Sequence, residues 1–154
     1  MSMATRAGIY AKGFAAWLGF GAVVVALGAV REALLRPRLG ALRAEQLETI
    51  VASAAVLALI VWFVRATRTT RRQALVLGVA WVVLTLLFEF GVFHLALGVP
   101  MDELLAAFDL PHGRLWPLFL LTLLVGPLLA RRRRSRSGSM EQDRQEPRDD
   151  QKDS

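Results

Sequence analysis

The chain predicts an all-α fold: a four-helix transmembrane bundle with a short helix lying at its outer, periplasmic surface. Three observations lead there. Four apolar runs have a length at or near what membrane crossing needs, since about 30 Å of hydrocarbon takes ~20 helical residues, with a range of roughly 17–25. Arginine gathers at the ends of those runs, and mostly at one set of ends. A single carboxylate, Glu89, stands inside the longest run.

The first run is Phe14 to Val30, rich in Gly and Ala, with Arg6 and Lys12 before it and Arg31 after it. A basic start and small residues at Gly28 and Ala29 also fit a cleaved signal. The stretch is long for such a segment, so it is assigned to a span. The second run is Ile50 to Val64, extended by Glu48–Thr49 and Ala66, and the third is Leu75 to Leu97. The fourth, Leu115 to Ala130, is the shortest. Pro117 falls in its first turn, where a missing N–H costs little. Pro127 lies near its end, where a kink is expected. The transmembrane unit is residues 1–134, with spans at about 14–31, 48–66, 74–97 and 115–130. Residues 135–154 are Ser-, Gln-, Arg- and Asp-rich and cannot bury enough to order themselves, so a disordered cytoplasmic tail is expected.

The loops carry structure of their own. Arg31 to Arg36 is expected to continue the first helix until Pro37 stops it. Leu39, Leu42 and Leu47 lead helically into the second span. Met101 to Phe108 puts Leu104, Leu105 and Phe108 on one face behind Asp102 and Glu103, which suits a short interfacial helix bracketed by Pro100 and Pro111. Trp17, Trp62 and Trp116 sit near span ends, where indoles favour the interface. Trp81 is deeper and reads as packing.

Composition narrows the chemistry. Hydrophobic residues make up 55% of the chain, against roughly 45–50% in soluble domains. There is no cysteine, which excludes disulfides, Cys-ligated zinc, iron–sulfur clusters and thiol catalysis. The net charge is +6. Its arginines flank apolar runs, which points to membrane topology and anionic headgroups rather than nucleic acid. Arg131, Arg132, Arg133 and Arg134 read as a stop-transfer cluster on lipid headgroups.

Four spans put both termini and the 65–74 loop on one side. That side carries Arg65, Arg68, Arg71, Arg72 and the 131–134 cluster, with no nearby Asp or Glu. The positive-inside rule therefore places both termini in the cytoplasm. Four arginines in the external 31–49 loop go against the trend and need a reason.

Depth supplies one. Glu89 stands fourteen residues past Leu75, about 21 Å along a helix rising 1.5 Å per residue. Arg31, Glu48 and Arg114 each stand seventeen residues from the inner end of their helix, about 25 Å. Every span thus brings a charge to one level near the outer face. A carboxylate in hydrocarbon takes up a proton or finds a cation. Arg31 and Arg114 are the expected partners of Glu89, because a guanidinium fork serves both carboxylate oxygens. The plainer reading of such a layer is a device that fixes helix register. His94 follows Glu89 by five residues, offset by roughly 140° on an α-helix, so the two do not make a shared-face metal pair. His94 reads as an interfacial hydrogen-bonding residue, and neither metal nor cofactor is expected.

A set of short motifs carries a resemblance. Arg31-Glu32-Ala33-Leu34-Leu35-Arg36-Pro37-Arg38-Leu39-Gly40, then Phe88-Glu89-Phe90 with His94, then Gly113-Arg114-Leu115-Trp116, resemble an uncharacterised family of small four-span bacterial integral membrane proteins. The resemblance covers about residues 14–130. It implies a multi-pass protein of the cell inner membrane and brings no activity with it.

Arg31, Glu32, Arg36, Glu48, Glu89, His94, Arg114 and Trp116 are therefore the candidate network residues. The leading expectation is a non-enzymatic accessory or interaction component whose partners are membrane lipids and another membrane protein or a second copy of itself. The alternative is a small transporter or proton- or ion-coupled translocator using Glu89, since an intramembrane acid is what coupling requires. An enzyme acting on a lipid-linked substrate ranks last, because Ser53 and Thr85 lack a nearby base in sequence.

Overall fold

The computed structural model describes residues 3–145, with the side chains of residues 3–7, 93, 103 and 132–145 outside that description. The fold is an all-α bundle, as the apolar runs predict, and no strand occurs among the described residues.

Helix α1 (Met3–Val30) passes without a break into a π-helical stretch, Arg31–Leu35, and then into α2 (Arg36–Leu39). The sequence expectation stops this helix at Pro37. It stops at Gly40 instead, whose φ of +78° favours a residue without Cβ. A proline ring clashes with the carbonyl four residues back. The π-helical turn just ahead of Pro37 bonds i to i+5 and so widens the backbone where that clash would fall. Helix α3 (Ala41–Thr67) follows at once and takes in the predicted lead-in from Leu42.

Helix α4 (Arg71–Phe88) begins on a capping box. Thr70 Oγ1 accepts from the Gln73 backbone N–H at 3.3 Å, and Gln73 Oε1 accepts from the Thr70 N–H at 2.8 Å. This pairing satisfies two N–H groups that a helix start leaves unpaired. From Glu89 to Ala96 the same helix becomes π-helical. Helix α5 (Met101–Ala106) is the predicted surface helix, with Pro100 as its N-cap. A 3-10 turn, Leu110–His112, then leads to α6 (Trp116–Gln145). Pro117 lies in the first turn of α6, and the helix continues through the buried Pro127. Of the segment expected to be a tail, residues 135–145 continue α6 and 146–154 lie outside the described residues.

Three helical stretches are long and apolar enough to cross a membrane: Gly8–Leu39, Ala41–Thr67 and Arg71–Ala96. Trp116–Arg131 is apolar but shorter. These lengths make the chain a membrane protein. Contacts fix the relative directions. Trp81 Nε1 donates to the Gly13 carbonyl at 2.8 Å, and Trp17 Nε1 donates to Thr85 Oγ1 at 3.0 Å. Rising along α1 therefore means rising along α4. By the same reasoning α3 and α6 run together, since Gln46 meets Gly113 and Ile60 meets Gly126. Gly78 packs on the Leu124 backbone while Glu89 lies near Trp116, so α4 and α6 are antiparallel.

The core lies where all four long helices meet. Trp81 is almost fully buried, with Phe20 and Phe63 edge-on at centroid distances of 5.0 and 5.7 Å. Val56, Ile60, Leu77, Phe119 and Leu123 complete it. Edge-to-face rings suit the aromatic quadrupole, and the indole N–H is satisfied by Gly13. Trp81 is thus packing, as its depth predicts.

Candidate functional site

Arg31, Glu48, Glu89 and Arg114 lie at one end of the bundle, where residues of α1, α3, α4 and α6 enclose a space. The space between them is a cavity of about 690 Å³. Its polar end is lined by Arg31, Glu45, Glu48, Glu89 and Arg114, and its walls include Trp17, Val24, Phe88, Trp116, Phe119 and Leu123. The four charged residues that the rise per residue places at one level do share one site.

Two ion pairs hold this end together. Arg31 Nη1 lies 2.7 Å from Glu48 Oε2, joining the end of α1 to α3. The Glu48 side chain is only 11% exposed and that of Arg31 31%. Gly28 eases the approach, because a Cβ there would stand 3.3 Å from Glu48 Oε1 and the carboxylate would have to give a little. Arg31 also donates to Glu32 Oε1, from Nη2 at 2.8 Å and Nε at 3.1 Å. The second pair joins Arg114, before α6, to Glu45 on α3. Beside it Gln46 Nε2 donates to the Gly113 carbonyl at 2.9 Å. Gly113 has φ +85°, and a Cβ would come within 2.8 Å of that amide nitrogen, so both backbone and space favour glycine here.

The pairing differs from the sequence expectation. Arg31 and Arg114 were to serve Glu89; they serve Glu48 and Glu45. Glu45 and Glu48 are three residues apart on α3 and project on one face. That i,i+3 spacing is the signal in the sequence that sets Glu45 beside Glu48. Among the described residues Glu89 forms no ion pair. It is half-buried and lies beside the Trp116 indole. Trp116 Nε1 is nevertheless buried without a hydrogen-bond partner, so the two groups are close but not in bonding geometry.

The other candidates fall outside the cavity. Glu32 also accepts from Arg36 Nη1 at 2.7 Å, in an exposed i,i+4 pair. His94 ties the end of its helix to the loop that follows, with Nδ1 donating to the Val99 carbonyl at 2.9 Å. His112 Nδ1 lies 2.6 Å from Asp109 Oδ2 on the exposed loop. This contact holds the Asp109 carboxyl below the usual carboxylate range. The side chains of Arg132, Arg133 and Arg134 lie outside the described residues, and that of Arg131 is half-buried. Among the described residues no three His, Asp or Glu side chains converge as a metal site would require.

Both helices that change to π geometry do so at a cavity residue, Arg31 on α1 and Glu89 on α4. Single π turns inside α-helices are often found at functional sites. Comparisons with protein-family models, curated proteins and solved structures return no match. The residues themselves must carry the functional reading.

Proposed function

We propose that this is a non-enzymatic, four-span protein of the inner membrane, an accessory or interaction component with both termini in the cytoplasm. Its Arg/Glu layer acts as an outer clamp that fixes how the helices meet around a ligand-sized cavity. The observation that carries this reading is the pair of cross-element bridges, Arg31–Glu48 and Arg114–Glu45, at one level of the bundle. The alternating helix directions support four crossings. The arginine-rich 65–74 loop, free of acids, supports a cytoplasmic inner face. Lipids are the surrounding partners, and the largely exposed apolar surface of α1 leaves room for another membrane protein or a second copy.

One observation favours a second reading, a proton- or ion-coupled translocator. Glu89 faces the cavity with no guanidinium bonded to it, and a carboxylate in that setting is what coupling uses. The two readings separate in proteoliposomes. The accessory reading expects no pH-driven flux in the wild type, and a fall in detergent melting temperature when Arg31 or Glu48 is neutralised. A pH-driven uptake or current that disappears in Glu89→Gln would replace it with the translocator.

A further inference from the structure

The charge inventory of the cavity does not close. Its ionisable lining is two arginines and three glutamates: Arg31, Arg114, Glu45, Glu48 and Glu89. Arg31 is matched by Glu48 and Arg114 by Glu45. One carboxylate, Glu89, is left over. A carboxylate at that depth takes up a proton or finds a cation, and an anionic or purely apolar occupant offers it no cation. A cation would complete it.

The walls suit a cation of a particular kind. Trp17, Phe88, Trp116 and Phe119 present aromatic rings to the space. Aromatic faces attract an ammonium group by their quadrupole, more strongly when water is excluded. A second unmet requirement sits beside the first. Trp116 Nε1 is buried with no partner, and a buried donor left unpaired is destabilising. The indole lies beside Glu89, so once a cation engages that carboxylate, an occupant that also carries an acceptor serves the Trp116 N–H. A phosphate ester separated by a short chain from an amine has both. The apolar part of the wall, with Val24 and Leu123, then takes an acyl chain. Leu18, Val25 and Phe88 line the same cavity and are exposed, so the mouth is an apolar surface that opens toward lipid rather than water. The volume of about 690 Å³ falls within the ~300–1,000 Å³ of small-molecule sites, enough for a headgroup and part of one chain.

We propose that this cavity binds a single amine-bearing phospholipid, with the ammonium on Glu89 and a phosphate or ester oxygen on Trp116 Nε1. Arg31 and Arg114 do not bind the head; their bridges to Glu48 and Glu45 keep them from offering a competing anion site. The site therefore selects against anionic lipids, although the protein as a whole is basic. The proposal rests on the membrane-spanning reading and adds a ligand to it.

The test uses the full chain in detergent with equal amounts of phosphatidylethanolamine and phosphatidylglycerol, and counts retained lipids by native mass spectrometry. The wild type should keep one phosphatidylethanolamine in preference to phosphatidylglycerol. Glu89→Gln should reduce that preference about tenfold or more, the scale of a lost charge-assisted hydrogen bond. Trp116→Phe should weaken retention while leaving the headgroup preference in place. Equal retention of the two lipids, or an unchanged preference in Glu89→Gln, would overturn the proposal. Dodecylammonium offered as a competitor separates the sources of the amine. If it binds while phosphatidylethanolamine does not, the ligand is a free lipophilic amine and the lipid assignment is wrong. Flotation of each variant with vesicles reports insertion independently. Lost lipid selectivity with intact flotation rejects the site alone, whereas lost flotation in the wild type rejects the membrane reading beneath it.

Discussion

Arg31 is the residue on which the outer end of the bundle turns. It is covered on one side by Glu48 and on the other by Glu32. Removing one partner of a fully buried pair costs about 3–5 kcal/mol, and an exposed pair is worth about 0–1 kcal/mol. With Glu48 mostly buried and Arg31 about a third exposed, Arg31→Gln should cost about 1–2 kcal/mol. Thermal unfolding in detergent measures it. Exchanging the two charges, Arg31→Glu with Glu48→Arg, should recover part of the loss. No recovery would mean that the stabilisation comes from packing of the arginine stem. A second residue-scale prediction concerns Asp109. Its carboxyl is held below its ordinary value by the hydrogen bond from His112. A depressed carboxylate stabilises the fold above its unfolded-state value and loses that contribution as pH falls through the folded-state value. The Asp109 contribution to the 109–113 turn should therefore be lost below about pH 4. Carboxyl NMR should report a low Asp109 titration that returns toward the ordinary range in His112→Ala. The level of the charged layer was legible in the sequence because it needs only the rise per residue. The partners were not, because pairing depends on which way each side chain faces around its helix. That facing is set by packing and by the π-helical turns at Arg31 and Glu89, which no apolar periodicity announces.

Helix pairs show the same division. The four apolar runs gave the long helices, and Pro100 and the acids behind it gave α5. The stop at Gly40 was missed because a proline ordinarily ends a helix, and only a local π turn lets this one pass. The capping box is written in the sequence as Thr70-Arg71-Arg72-Gln73, a T-x-x-Q pattern that follows no apolar periodicity because it lies in a basic loop. The backbones of α4 and α6 come close at Gly78 of α4, where a Cβ would fall on the Leu124 carbonyl oxygen of α6. Backbone cannot yield as a flexible side-chain end does, so Gly78→Val should be strongly disfavoured. Overpacking a tight contact costs about 1–3 kcal/mol, and this one should fall at the upper end. Gly19 of α1 has open space where its Cβ would stand, so Gly19→Val should change melting little. Equal losses at the two positions would mean that helix propensity, not the α4–α6 contact, decides the outcome.

At the scale of the whole molecule the decisive question is whether α6 crosses. Its apolar stretch, Trp116–Arg131, has 16 residues, about 24 Å of helix against ~30 Å of hydrocarbon. A short span is accommodated by local thinning and by flanking side chains that reach for the interface. The basic run from Arg131 suits the second, because long arginine stems lie along apolar surface while their heads stay in the headgroup region. The antiparallel packing of α6 on α4 points the same way, since a helix packed along its neighbour shares that neighbour's depth. A crossing α6 returns the C-terminus to the side of the N-terminus; a helix that lies on the surface leaves the two on opposite sides. The chain contains no cysteine, so single cysteines introduced one at a time report sidedness without background. Cysteines at Lys12, Arg72 and Ser139 should react with an impermeant maleimide only from the cytoplasmic side, and those at Arg38 and Asp102 only from the outside. Labelling at Ser139 from the outside would reduce the protein to three crossings. It would also remove Arg114 and Trp116 from a shared depth with Glu89, and with them the cavity's place in the membrane.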